Sequence, residues 1–126
     1  MRARFWATVV VAAAVAVLAV GAGCGSDSDS SAVDECESDD TVVTVRDNTF
    51  EPQELEVEAG TTVCWANEGR AEHDVFPDEG DLFGLDSLNP GEAYRYTFEE
   101  AGEYPYYCSI HGAPGSGQWG SVTVAS

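Results

Sequence analysis

From Thr41 onward a glycine, proline or asparagine interrupts the chain every eight to twelve residues. That rhythm leaves no stretch long enough for a packed helix, and no window carries a helical period. The segments between the interruptions are short and β-rich. Thr41-Val42-Val43-Thr44-Val45 is β-branched. Leu55-Glu56-Val57-Glu58 and Thr61 to Asn67 alternate apolar with polar, as do Tyr94 to Phe98 and Ser121 to Val124, and Tyr104 to Cys108 supplies a further aromatic run. A period of two gives each strand one face for a core and one for water. Ala59-Gly60, Asn89-Pro90-Gly91 and Ala101-Gly102 provide the turns. The expectation is an all-β domain over residues 41–126, a sandwich or barrel. A core of that size is modest, so a covalent staple or a bound metal would help it.

The first forty residues belong to a different regime. Arg2 and Arg4 precede Phe5-Trp6 and an apolar run from Ala7 to Val20, followed by Gly21-Ala22-Gly23-Cys24. A basic start, a short apolar stretch and small residues describe a signal peptide over 1–23. The small residues ending in Cys24 resemble a bacterial lipobox, which implies a lipidated Cys24 as the first mature residue. Gly21 departs from the aliphatic residue usual there, and an uncleaved anchor or simple secretion are the other outcomes. Export follows in every case. Anchoring would hold the domain at the outer face of the cytoplasmic membrane. Residues 24–40 are rich in serine and acid and read as a solvated tether.

Charge removes further possibilities. The whole chain carries 23 acidic and 5 basic residues, a formal −18, and it has no lysine. Nucleic acid is excluded as a partner, because phosphate binding needs clustered cations. Downstream of Cys24 only Arg46, Arg70 and Arg95 face all 23 acids. Such acidity suits solubility in strong salt and equally suits a basic redox partner. The two readings stay open.

The chain has two histidines, His73 and His111, and its only methionine is Met1. His111 lies three residues after Cys108, within Tyr107-Cys108-Ser109-Ile110-His111-Gly112. A thiolate and an imidazole at that spacing on one loop can hold the same ion. A second imidazole completes a trigonal His₂Cys set with a weak axial position, which suits copper in both oxidation states. Cys-x-x-His alone is a weak signal. Here it stands in an exported β-protein, before a Gly-rich loop and a last strand, with one other histidine to join it.

With these residues in place the chain resembles the cupredoxin, or blue copper, family, particularly plastocyanin-like domains of exported prokaryotic proteins. The matching residues are Phe50-Glu51-Pro52, Gly60 to Asn67, His73-Asp74-Val75, Asn89-Pro90-Gly91, and Tyr106 to His111 through Gly120. The resemblance implies an antiparallel Greek-key β-sandwich with one type 1 copper ion at one end. His73, Cys108 and His111 would be its ligands, with the uncharged Gly112-Ala113-Pro114-Gly115 beside His111 as the electron port. Family members place an axial methionine in a Gly-Met-x-Gly stretch, and here that stretch is Gly117-Gln118-Trp119-Gly120. Gln118 therefore falls on the axial slot, as in the phytocyanin branch, with solvent exposure as its alternative. Its amide oxygen is a harder donor than a thioether and favours Cu(II). Trp119 either shields the metal or simply packs. For Asp74 two roles are open: a tie between its own loop and the Cys108 loop, or a plain solvent-facing acid.

With Cys24 assigned to lipid and Cys108 to copper, Cys36 and Cys64 remain, and outside the cytoplasm such a pair is most simply a disulfide. Strand alternation turns Val63 and Trp65 to the core and Cys64 outward, within reach of Cys36. The function expected is a monomeric, membrane-tethered electron carrier, not an enzyme, exchanging single electrons with other redox proteins. An exported copper-delivery protein would use the same ligands. A metal-free immunoglobulin-like binding module is the third class, and it would pair Cys64 with Cys108.

Overall fold

The computed structural model describes residues 31–126. The signal peptide and Cys24 lie outside these described residues. Nine strands form two sheets: β1 (Thr41–Val45), β2 (Phe50–Glu51), β3 (Glu54–Glu58), β4 (Thr61–Asn67), β5 (His73–Pro77), β6 (Leu85–Leu88), β7 (Ala93–Phe98), β8 (Gly102–Ala113) and β9 (Ser116–Ala125). One sheet has the order β2-β1-β4-β7 and the other β3-β9-β8-β5-β6. Among the described residues no helix is long and apolar enough to cross a membrane.

The sandwich is not wholly antiparallel. β1 runs parallel to β4, and β3 runs parallel to β9. The cause is the crossing between β2 and β3 at Glu51-Pro52-Gln53. The chain changes sheets there, so each early strand meets a late one by crossover and not by hairpin.

Period-two burial builds the core. On β9, Gln118, Gly120, Val122 and Val124 are buried while the intervening residues are partly exposed. Trp65, fully buried on β4, is the central side chain. Tyr94 stacks on it with ring centroids 5.5 Å apart, and Tyr106 meets it edge-on at 5.5 Å. Val43, Val63, Phe98 and Val122 close around it. Full burial of each such side chain contributes on the order of 1.5–3 kcal/mol, so the core is rigid enough to fix what projects from its upper end. That end carries the close of β1 and β4, the start of β5 and the β8–β9 loop.

Composition alone places residues 31–40 in the tether, but they lie on the outer face of the four-stranded sheet. A single 3-10 turn, Ala32–Glu35, is capped by Ser31, and Ala32 is fully buried. Cys36 forms a disulfide with Cys64, whose outward direction is the one alternation gives. Arg95 grips Asp40 with two hydrogen bonds, Nε–Oδ2 2.6 Å and Nη2–Oδ1 2.9 Å, and reaches Glu37 at 3.1 Å. Glu68 accepts hydrogen bonds from the Val33 amide at 2.9 Å and from the Ser31 hydroxyl. Apolar and covalent anchors at two positions outweigh the surrounding acidity.

Two outcomes follow. The disulfide closes a loop with a sequence separation of 28, for which chain entropy gives roughly 3.5 kcal/mol. A Cys36→Ala/Cys64→Ala double variant should lose about that much in urea unfolding. The Arg95 hydrogen bond holds the Asp40 carboxyl below its ordinary range. A depressed folded-state pKa stabilises above the unfolded value and loses that contribution as pH falls through the folded one. Asp40→Asn should therefore melt lower than the parent at pH 7, with the gap closing as the solution is acidified below the usual carboxylate range.

Candidate metal centre

Three elements converge at the upper end. β5 begins at His73, which is opposite Leu88 of β6. β8 turns Tyr106 and Cys108 inward by alternation, and its ladder with β9 breaks between Tyr107 and Gly112. That break frees Ser109, Ile110 and His111 from pairing, so His111 can fold back toward Cys108. Cys108 Sγ lies 3.6 Å from His73 Nδ1 and 3.7 Å from His111 Nδ1, and the three atoms are mutually within 4.8 Å. His73 and Cys108 are completely buried, while His111 is half-buried.

These separations fit one shared ion. With bonds of about 2.3 Å to sulfur and about 2.0 Å to nitrogen, they correspond to donors roughly 115° apart, close to a trigonal arrangement. Burial, and after it the nearby His111, keeps the His73 pKa below its ordinary value. The ring therefore stays neutral and its lone pair is available to a metal.

Gln118 lies next to this group. It is almost fully buried beside the His73 ring. Its Nε2 donates to the Arg46 carbonyl at 2.9 Å and to the Thr49 carbonyl at 3.1 Å. Two carbonyls can only accept, so the amide nitrogen must face them and the oxygen must face away. Oε1 is left buried without a hydrogen-bond partner. An orphaned buried acceptor costs on the order of 1–3 kcal/mol, and a metal ion is one means of offsetting that cost. Solvent exposure, the alternative weighed for Gln118, does not occur. Trp119 alternates to the other face of β9 and borders a shallow notch with Phe50 and Pro52, so it packs.

The ligand loops have their own supports. Asp74, nearly buried, accepts from the Ser109 amide at 2.7 Å and from the Ser109 hydroxyl. It ties the His73 strand to the Cys108 loop. Asn67, at the end of β4, donates to the Ala71 carbonyl and the Leu88 carbonyl, each at 2.9 Å, and accepts from the Gly69 amide at 2.9 Å. Its side chain thus fixes the turn that leads into His73. Asp47 accepts from the Arg70 and Ala71 amides at 2.6 and 3.1 Å, donors that hold its carboxyl below the ordinary range. Its Oδ1 stands 3.9 Å from His73 Nε2. Sequence reasoning missed Asn67 and Asp47. Asn67 ends an alternating strand and Asp47 opens an Asp-Asn turn, ordinary positions for both residue types.

Gly112 and Gly117 bring the two arms of the loop together. A Cβ on Gly112 would lie 2.5 Å from the Gln118 amide nitrogen, and one on Gly117 would lie 2.7 Å from the His111 carbonyl oxygen. Gly117 also has φ +69°, a conformation that L side chains avoid. The structure thus brings together His73, Cys108, His111, Gln118 and Asp74. Cys36 and Cys64 sit on the far face of the sheet, and Cys108 is free. That pairing overturns the immunoglobulin-like alternative, which required Cys64 bonded to Cys108. The outward side of β4 cannot meet a thiol that points into the core.

Residues 10–123 match the family described as Cupredoxin-like domain, and the chain belongs to that family. It is similar to plastocyanin of Scenedesmus fuscus, 38% identical over 85 residues that cover 60% of this chain and 85% of that protein. It is 35% identical to the chloroplastic plastocyanin of Tetradesmus obliquus over 85 residues, spanning 60% of this chain and 57% of that one. Among solved structures it resembles a methionine-to-glutamine mutant of amicyanin in the Cu(I) form. The TM-score is 0.64 at 35% identity, covering 75% of this chain and 90% of that one.

Gly112→Ala should push the Gln118 strand away from the His111 turn. The expected outcome is a folded domain, shown by retained far-ultraviolet circular dichroism, with copper affinity reduced at least tenfold by competition with a chelator. Asn67→Ala would remove all three of its hydrogen bonds, and should cost about 3 kcal/mol in urea unfolding.

Proposed function

We propose that this protein is a single-electron carrier that holds one type 1 copper ion through His73, Cys108 and His111, with Gln118 as the axial group. The observation that carries the reading is the convergence of three soft and borderline donors in a buried pocket whose fourth wall is an unpartnered amide oxygen. A thiolate with two imidazoles suits copper better than the harder cations. Copper bound there would alternate between Cu(II) and Cu(I).

The chain's own contribution is to keep the donor positions alike in both states. His73 is locked at the start of β5 by the Asn67 turn, and Cys108 is locked by the Asp74–Ser109 tie. Burial excludes water from both. Half-buried His111, beside an uncharged Gly-Ala-Pro-Gly loop, offers the route for electrons to a partner surface. Donors fixed this firmly favour electron transfer over copper delivery, which needs ligands that open to an acceptor.

The same reading extends to parts of the chain outside the described residues. Residues 1–23 are a signal peptide, and Cys24 is lipidated and anchors the domain outside the cytoplasmic membrane. The sandwich works as a monomer, and its acidic surface suits a basic redox protein as partner. No substrate is transformed.

The test is a visible spectrum of the domain from Ser31 onward after Cu(II) loading. An intense thiolate-to-copper band, bleached by ascorbate and restored by oxidation, is expected, and a colourless copper complex would overturn the reading. The axial assignment has its own measurement. Gln118→Met should raise the reduction potential, because a thioether stabilises Cu(I) better than an amide oxygen does. An unchanged potential would remove Gln118 from the ligand set.

A further inference from the structure

The N-terminal segment takes a directed path over the sandwich. β1 begins at Thr41, opposite Val63, and rises beside β4 to Val45, opposite Asn67. The preceding segment therefore descends. Asp40 is held low on the sheet by Arg95, Cys36 is bonded to Cys64 midway, and Ser31 and Val33 are held at the top by Glu68, the residue after β4. Asn67, Gly69, Asp47 and His73 belong to that same end. The chain consequently enters the folded domain beside the ligand loops and not at the opposite pole.

Charge is distributed along the same axis. Two of the three arginines among the described residues, Arg46 and Arg70, stand at the upper end, among the acids Asp47, Glu68, Glu72 and Glu92. The β8–β9 loop from Gly112 to Gly117 carries no charge. The opposite pole holds Glu58, Glu99, Glu100 and Glu103, next to the strand ends Ala125, Phe98 and Gly102. An anionic lipid surface repels that pole more than it repels the uncharged β8–β9 loop.

We infer that the protein presents its metal-binding end to the lipid surface on which it is anchored, because the segment upstream of Ser31 leaves the sandwich there. The inference rests on the anchoring part of the proposed function and holds for a lipidated Cys24 or an uncleaved apolar run. Six residues lie between Cys24 and Ser31, and this stretch reaches at most roughly 25 Å when fully extended. β8 spans Gly102 to Ala113, so its two ends lie roughly 35 Å apart. A tether shorter than the domain keeps the lower pole from facing the headgroups with the upper end turned away. Electron exchange would then occur in a thin layer next to the bilayer.

The test uses the full chain, exported and processed by a bacterial host, reconstituted with copper into vesicles containing one-fifth anionic lipid. A donor dye is attached through Ala113→Cys at the upper loop or through Glu100→Cys at the lower pole, and a short-range acceptor is carried on the lipid headgroups. Transfer from position 113 should exceed that from position 100 at least twofold. Inserting twenty Gly/Ser residues before Ser31 gives a linker with a mean extension of roughly 30 Å, and should largely erase the contrast while flotation with vesicles persists. Equal transfer from both positions, with flotation intact, overturns the orientation alone. A chain that does not float with vesicles overturns the anchor, and the orientation falls with it.

Discussion

The upper end of this sandwich is built around groups that ordinary folding would leave in water. The Oε1 of Gln118 is buried without a hydrogen bond beside the buried His73 imidazole, which in turn faces the buried Cys108 thiol. Desolvating such groups is costly unless something pairs with them. The surrounding structure therefore has to hold them in place before any ion arrives. It does so from three directions: two backbone carbonyls fix the Gln118 amide, Asn67 fixes the approach to His73, and Asp74 fixes the turn after Cys108. The stable aromatic core around Trp65 supplies the stiffness that these contacts transmit.

Much of this was legible in the residues. β1 is β-branched and β3, β4 and β7 alternate in sequence, and alternation also gives the inward direction of Cys108 and the outward direction of Cys64. The grouping of His73, Cys108 and His111 could be read because the chain has only two histidines. The burial of Gln118 beside His73 follows the family pattern, in which the Gly117-Gln118-Trp119-Gly120 stretch stands where relatives carry Gly-Met-x-Gly. β5 and β6 were not legible: His73-Asp74 opens one and Pro77 closes it, while Leu85-Asp86-Ser87-Leu88 is too short to show a period. These strands form because their neighbours in the sheet accept them, which is tertiary context overriding local preference.

The segment 31–40 fails for a different reason. Its composition is that of a solvated linker, and composition averages over the very residues that matter. Ala32 and Cys36 are two small anchors in an acidic stretch, and one buried methyl with one disulfide is enough to lay it on the sheet. Asn67 and Asp47 were hidden likewise, since a turn residue reveals its partners only when distant strands are brought alongside.

The placement of the cysteines has a consequence for thiol exchange. A free thiol within reach of a disulfide can attack it and exchange partners. Here the pleat of the sheets sorts them: Cys64 faces the outside of one layer with Cys36 laid across it, and Cys108 faces the interior behind Trp65 and Tyr106. Once the two layers close, exchange between Cys108 and the disulfide would require passage through the core. The closed sandwich thus keeps an oxidised pair and a free thiol apart within one chain.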